Sequence, residues 1–254
     1  MNSPKEILKR YWGFDHFKPL QESIINSVLD QQDTFALLPT GGGKSVCYQI
    51  PGLISEGICL VISPLISLIN DQVNTLKEKD IKAVSLTGAI SPEELSVFFD
   101  NCKYGNYKFL YLSPERLDSE YVIGRIQDLN VNYIVVDEAH CISQWGNDFR
   151  PAYKKIHLLR KHLPNKNIIA LTATATLEVQ KDIITSLELT SPKIFKKSFK
   201  RENISFNIIT TENKNELLRI ILQKNTQSSI VYVSNRKSTI QLSDFLKSRH
   251  ITAL

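Results

Sequence analysis

Thr34-Phe35-Ala36-Leu37-Leu38-Pro39-Thr40-Gly41-Gly42-Gly43-Lys44-Ser45 decides the fold. Residues 34–38 have the composition of a buried strand, 39–43 the composition of a turn, and an amphipathic helix fits 45–54. A strand that passes through a glycine-rich turn into a helix is half of a βα unit. Three glycines let backbone N–H groups turn inward around phosphate oxygens, Lys44 brings a cation to the terminal phosphates, and the Ser45 hydroxyl can ligate Mg²⁺. Thr40, Gly41, Gly42, Gly43, Lys44 and Ser45 are therefore the candidate phosphate site. The strict pattern has a glycine five positions before Gly43, where this chain carries Leu38. The plain alternative is a turn that binds nothing, which gives no reason for Lys-Ser directly after the last glycine.

Outward from this loop, β-rich runs near 58–62, 82–86, 108–112, 133–137 and 167–171 alternate with helical stretches near 65–79, 92–102, 120–129, 153–162 and 177–187. That alternation predicts an α/β fold with a mostly parallel sheet flanked by helices, its strands buried on both faces. Ser3-Pro4-Lys5-Glu6 reads as a capping box with Pro at the first helical position rather than as a signal peptide. The longest apolar run, 58–69, has 12 residues and contains Pro64, short of the roughly 20 needed to cross a bilayer, so no membrane partner is expected. Cys47, Cys59, Cys102 and Cys141 are too far apart for a zinc or redox pair, which predicts a reduced, cytoplasmic protein without zinc. A balance of 31 Lys+Arg against 26 Asp+Glu permits a polyanion partner without demanding one.

After Leu189 the composition changes: Lys193, Lys196, Lys197, Lys200 and Arg201 read as a connector between lobes. The expected division is a first lobe over 1–200 and the beginning of a second over 201–254, with strands near 203–210 and 229–233 and helices near 213–224 and 236–249. A lobe that small buries little core by itself, so the chain is expected to be a piece of a longer protein.

The second chemical signal is Asp137-Glu138-Ala139-His140, directly after Tyr133-Ile134-Val135-Val136. Parallel strands deliver their C-terminal ends to one crevice, so Asp137 can arrive beside the phosphate loop and hold Mg²⁺, with Glu138 placed to orient or deprotonate a water. Such acids standing alone are often solvated turn residues; the phosphate loop upstream is what argues otherwise. Gln144, Trp145, Phe149 and Arg150 follow in an irregular segment with Gly146 and Pro151. Aromatic rings and an arginine there suit base stacking and phosphate contact along a single strand. Trp145, Phe149 and Tyr153 are also spaced by four, the pattern of a buried helix face.

Loop and tetrad together resemble the superfamily 2 helicases and translocases, whose first motif commonly lacks the leading glycine. The segment from Gln144 to Pro151 is similar to the aromatic-rich loop of RecQ-family DNA helicases. Trp12-Gly13-Phe14-Asp15-His16-Phe17-Lys18-Pro19-Leu20-Gln21 resembles that family's adenine-recognising element. The resemblance implies that Phe14 packs on the base and Gln21 hydrogen-bonds its edge; Lys18 stands where an Arg is usual, and Lys lacks the planar fork. It further implies that Ser63 and Pro64 lie at a turn contacting the DNA backbone, and that Thr172 and Thr174 couple nucleotide state to DNA movement. The implied protein is an ATP-dependent 3′ to 5′ DNA helicase of recombination and repair, working on single-stranded or partly duplex DNA with ATP and Mg²⁺, intracellular and at the nucleoid in a bacterium. Lys44, Asp137, Glu138 and His140 are its implied catalytic set. The motif that places an arginine on the γ-phosphate has no counterpart after Arg201, so binding of ATP and DNA with little turnover is expected. An RNA helicase shares the tetrad, and a nucleotide-switched DNA-binding module without catalysis is the other alternative.

Overall fold

The computed structural model describes residues 3–146, 148–198, 204–225 and 227–253, and the chain divides into one unit up to residue 199 and another from residue 200. Among the described residues no helix is long and apolar enough to cross a membrane.

The first unit is built on β1 (Thr34–Leu37), β2 (Ile58–Ile62), β3 (Ala83–Leu86), β4 (Phe109–Leu112), β5 (Val131–Val136), β6 (Ile168–Thr172) and β7 (Lys193–Lys196). All pairings are parallel, in the order β3-β4-β2-β5-β6-β1-β7. Helices α1 (Pro4–Trp12), α2 (Gln21–Leu29), α3 (Lys44–Ile54), α4 (Ile66–Lys77), α5 (Pro92–Tyr104), α6 (Glu120–Gln127), α7 (His157–His162) and α8 (Leu177–Ser186) cover it. Alternation sorts each strand into two cores. Phe35, Leu60, Ile62, Ile134 and Val136 face one layer, whereas Ala36, Cys59, Val61, Tyr133 and Val135 face the other. Ile7, Leu8, Ile25 and Ile50 close a third cluster where α1, α2 and α3 meet.

Local chemistry sets the helix ends. Ser3 and Glu6 form the expected capping box: the Ser3 hydroxyl accepts from the Glu6 N–H at 3.3 Å and the Glu6 carboxylate accepts from the Ser3 N–H at 2.7 Å. Ser91, Pro92 and Glu94 repeat the device on α5. The expected helix over 153–162 starts instead as a 3₁₀ segment, Pro151–Ile156, and becomes α-helical only at His157.

Two expectations fail. Lys193–Lys196, read as connector, is the edge strand β7, because its backbone pairs with β1 from Thr34↔Lys193 to Leu37↔Lys196. The lysines that suggested a linker suit an exposed edge, where charge discourages pairing with other chains. In the second unit α9 (Lys214–Lys224) and α10 (Arg236–Ser248) form as expected, N-capped by Asn213 and Asn235. The strands expected at 203–210 and 229–233 do not form among the described residues; position 203 lies outside them. A strand persists only through a ladder with a neighbour, and neither segment has one there.

One buried carboxylate ties the sheet together. Asp33 Oδ1 accepts from the Ile168 N–H at 2.8 Å, while Oδ2 accepts from Arg160 Nη2 at 2.6 Å and from the Thr190 N–H at 2.7 Å. It thus joins the entrances of β1 and β6 to the segment that leads into β7.

Candidate nucleotide site and nucleic-acid face

Because every strand runs the same way and β5, β6 and β1 are neighbours, the ends of these three strands open on one edge of the sheet. The phosphate loop leaves β1, the acidic tetrad leaves β5, and Thr172 ends β6.

The loop needs its glycines. Gly41 and Gly43 both have φ +76°, and a Cβ on Gly42 would meet the Pro39 carbonyl oxygen at 2.7 Å. Lys44 opens α3 and reaches back so that its Nζ lies 3.5 Å from Glu138 Oε1. On the other side of Glu138, Oε2 lies 3.3 Å from His140 Nδ1, which is also 2.9 Å from Thr172 Oγ1. Thr172 Oγ1 donates to the Thr174 carbonyl at 3.1 Å and accepts from the Thr174 N–H at 3.2 Å. Lys44, Glu138, His140, Thr172 and Thr174 are therefore one continuous polar run between the phosphate loop and the exit of β6.

The two acids are shifted in opposite directions. Burial and the adjacent Glu138 push the Asp137 carboxyl up to about 6, against the attraction of Lys44. Burial also acts to raise Glu138, but the hydrogen bond from His140 and the charge of Lys44 outweigh it and hold that carboxylate below its ordinary value. Hydrogen bonds with Cys141 and Glu138 push the His140 imidazole up to about 10 despite burial. A carboxyl raised from 3.8 gives the folded chain stability that is complete below pH 3.8 and lost as pH rises through about 6. Asp137→Asn stays neutral throughout, so it is expected to stabilise the chain by on the order of 2 kcal/mol at pH 8 and to match the parent near pH 4. Thermal melts across that range check this; an equal gain at both ends would show that titration is not the cause.

Ser45 and Asp137 offer hard oxygen ligands suited to Mg²⁺, but among the described residues no group of three or more His, Cys, Asp or Glu side chains could hold a metal alone. A cation here would need phosphate oxygens to complete its shell, as this ion commonly does in phosphoryl-transfer sites.

The segment before α2 closes the loop from outside. Gln21 is 3% exposed, accepts from the Lys18 N–H at 2.8 Å through Oε1, and donates through Nε2 to the Gly43 carbonyl at 3.0 Å. Lys18 Nζ donates to the Gly41 carbonyl at 2.9 Å, a contact that one cation makes without a planar fork. Phe14 is 58% exposed, an open ring beside this segment.

Among the residues expected on a DNA face, Gln144 is exposed and Trp145 is 75% exposed, whereas Tyr153 is fully buried. Position 147, between them, lies outside the described residues. The spacing of four thus does not mark one buried face; Gly146 N–H bonds to the Ser143 carbonyl and the chain turns there. Phe149 and Arg150 are half-buried, with Lys154 Nζ over the Phe149 ring at 5.5 Å. Ser63 and Pro64 are both buried, packed at the exit of β2, and Leu65, Ile66, Ser67 and Leu68 after them are exposed. Pro64 instead offers its carbonyl to Arg150 Nη1 at 2.6 Å, which fastens the aromatic segment to this turn.

Two contacts here had no signal in the sequence. The Tyr153 hydroxyl donates to the Asp137 carbonyl oxygen at 2.9 Å, and Asp148 Oδ2 lies 3.6 Å from His140 Nε2. Each is defined only by what the fold brings near it.

Residues 18–183, more than half of the chain, match the DEAD/DEAH box helicase family. The chain is 41% identical to the ATP-dependent DNA helicase RecQ of Bacillus subtilis (strain 168), over 100% of this chain and 43% of that protein. It is 39% identical to the RecQ-like DNA helicase BLM of Xenopus laevis, over 98% of this chain and 19% of that protein. It thus spans about two-fifths of the length of the former and a fifth of the latter. Among solved structures, the DUF1998 helicase MrfA bound to DNA aligns with a TM-score of 0.70 at 16% identity, covering 98% of this chain and 38% of that one, which speaks to the fold alone. With the tetrad and the phosphate loop facing each other across β6, and with these relatives, the chain belongs to the DEAD/DEAH box helicase family and is similar within it to the RecQ-type DNA helicases.

Proposed function

We infer that this chain is the nucleotide-binding motor lobe, residues 1–200, and the beginning of a second RecA-like lobe, residues 201–254, of a RecQ-type ATP-dependent 3′ to 5′ DNA helicase acting in recombination and repair. The observation that carries the reading is the polar run from Lys44 through Glu138 and His140 to Thr172. The loop amides, Thr40, Lys44 and Ser45 hold the triphosphate; Phe14 packs on the base, with Gln21 and Lys18 bracing the loop from the base side. Ser45 and Asp137 hold Mg²⁺, which supplies charge neutralisation of the phosphates when bound. Glu138 orients the attacking water. His140 and Thr172 connect that carboxylate to Thr174 at the exit of β6. Single-stranded DNA lies along Gln144, Trp145, Phe149 and the exposed start of α4, with Arg150 setting the turn between them.

A second-element arginine on the γ-phosphate is worth about 10³–10⁵ in rate. In the second unit Arg219 is tied to Glu216 and Gln223, and Arg236 and Arg249 belong to α10 or its cap. This chain is accordingly expected to bind Mg-ATP and release phosphate near background even with saturating single-stranded DNA. A phosphate-release assay checks this, and turnover like that of a complete helicase would overturn it. Competition between matched DNA and RNA oligomers tests the choice of nucleic acid, with preference for RNA the opposing result.

Trp145→Ala is expected to weaken single-strand binding by about 1–3 kcal/mol, the cost of one lost stacking platform. The ring is 75% exposed, so the melting temperature should not move. Fluorescence anisotropy and a thermal melt on the same sample separate these outcomes; unchanged DNA affinity would remove Trp145 from the face.

A further inference from the structure

The peptide group between Asp137 and Glu138 is held at both of its polar ends. Its carbonyl oxygen accepts from the Tyr153 hydroxyl at 2.9 Å, and its N–H donates to Asp137 Oδ1 at 3.0 Å. On the far side of Glu138, its own carbonyl accepts from the Cys141 N–H at 2.9 Å, at the start of the 3₁₀ turn Ala139–Ile142. Between these two fixed peptides Glu138 has φ +47° and ψ +46°, the left-handed region, where a side chain crowds its own backbone. A residue other than glycine stays there only when its surroundings impose it.

Tyr153 is fully buried, in the same apolar core as Ala139, Ile142 and Ile156. A phenylalanine would fill that space without the cost of desolvating a hydroxyl, so packing by itself does not explain the phenol. Its one hydrogen goes to the Asp137 carbonyl.

We propose that Tyr153 is a positioning residue for Asp137, acting through the 137–138 peptide. A trans peptide is planar, with its C=O and N–H pointing opposite ways. When the phenol fixes the carbonyl, it therefore also fixes the Glu138 N–H on the Asp137 carboxylate, and the left-handed Glu138 is the consequence. Without the hydroxyl the peptide can rotate, φ of Glu138 can relax to a negative value, and Asp137 Oδ1 loses the donor that orients it. The inference rests on the metal-holding role given to Asp137 above.

The first measurement needs no nucleotide. Glu138→Gly and Glu138→Ala both lose the carboxylate and differ in their tolerance of positive φ, so with Tyr153 in place the glycine variant is expected to melt about 2 °C or more above the alanine variant. Combined with Tyr153→Phe, which keeps the ring, the two should melt together, because the peptide is then free to turn. The second measurement is the affinity of a non-hydrolysable ATP analogue with Mg²⁺ and with EDTA in its place. Mg²⁺ is expected to raise the affinity of the parent at least about fivefold and that of Tyr153→Phe less than about twofold, with equal affinities in EDTA. A hydroxyl that only stabilised the core would lower the melting temperature of Tyr153→Phe and leave both the glycine–alanine gap and the Mg²⁺ effect unchanged; either of these persisting in Tyr153→Phe overturns the proposal. So does an alanine variant that melts as high as the glycine variant, a result that stands even where Tyr153→Phe does not fold. A parent that binds the analogue with no Mg²⁺ effect overturns the metal role of Asp137 and the proposal with it. A parent that binds no analogue in either medium overturns the nucleotide site, and the melting comparison at position 138 then decides the clamp alone.

Discussion

Lys44→Ala loses at least about a hundredfold in affinity for Mg-ATP, roughly 3 kcal/mol. The side chain is 15% exposed and stands between the loop and Glu138, so its charge acts where water screens it little. Hydrogen bonds to ionised groups contribute about 1.5–3 kcal/mol each, and a terminal phosphate offers this ammonium more than one oxygen. Lys18 does not replace it, since its Nζ is engaged by the Gly41 carbonyl. The substitution also removes one of the influences that keep Glu138 low, leaving His140 as its main partner. Titration calorimetry of parent and variant decides the matter. Equal affinity would refute the phosphate site, while a lost affinity with an unchanged melting temperature would locate the effect in binding rather than in folding.

The second large effect falls on stability, far from the nucleotide. Asp33→Ala removes a carboxylate whose side chain is 4% exposed, and it strands Arg160 together with the N–H groups of Ile168 and Thr190. Arg160 keeps only the Lys166 carbonyl, at 2.9 Å. Breaking a buried pair from one side costs about 3–5 kcal/mol, a large share of the roughly 5–15 kcal/mol that holds a domain folded. A fall in melting temperature of about 10 °C or more is expected for a chain of this size. Asp33→Asn should do little better, because its amide would face the Arg160 and Thr190 donors. Circular dichroism melts check both variants, and a shift within about 2 °C would mean that water substitutes for the carboxylate.

The α/β class, the phosphate loop and the acidic tetrad were legible in the sequence for one reason: each is specified by residues adjacent in the chain. Glycines next to Lys44 and Ser45 dictate a loop wherever it occurs, and Ser3, Pro4 and Glu6 close a capping box within a single turn. Strands buried on both faces show themselves as short apolar runs. The resemblance of several such local segments was enough to reach the family.

What only the tertiary structure decided are relations between residues far apart in the chain. Gln21 meets Gly43, Arg150 meets Pro64, Tyr153 meets the Asp137 backbone, and Asp33 meets Arg160, and no local pattern encodes any of these pairs. The same holds for Lys193–Lys196, whose strand exists because β1 offers an open edge, and for residues 229–233, apolar enough for a strand yet without a ladder among the described residues. A helix satisfies its hydrogen bonds within itself and can be read from its own residues. A strand, a buried carboxylate or a phenol must find its partner elsewhere, and only the folded chain determines which partner that is.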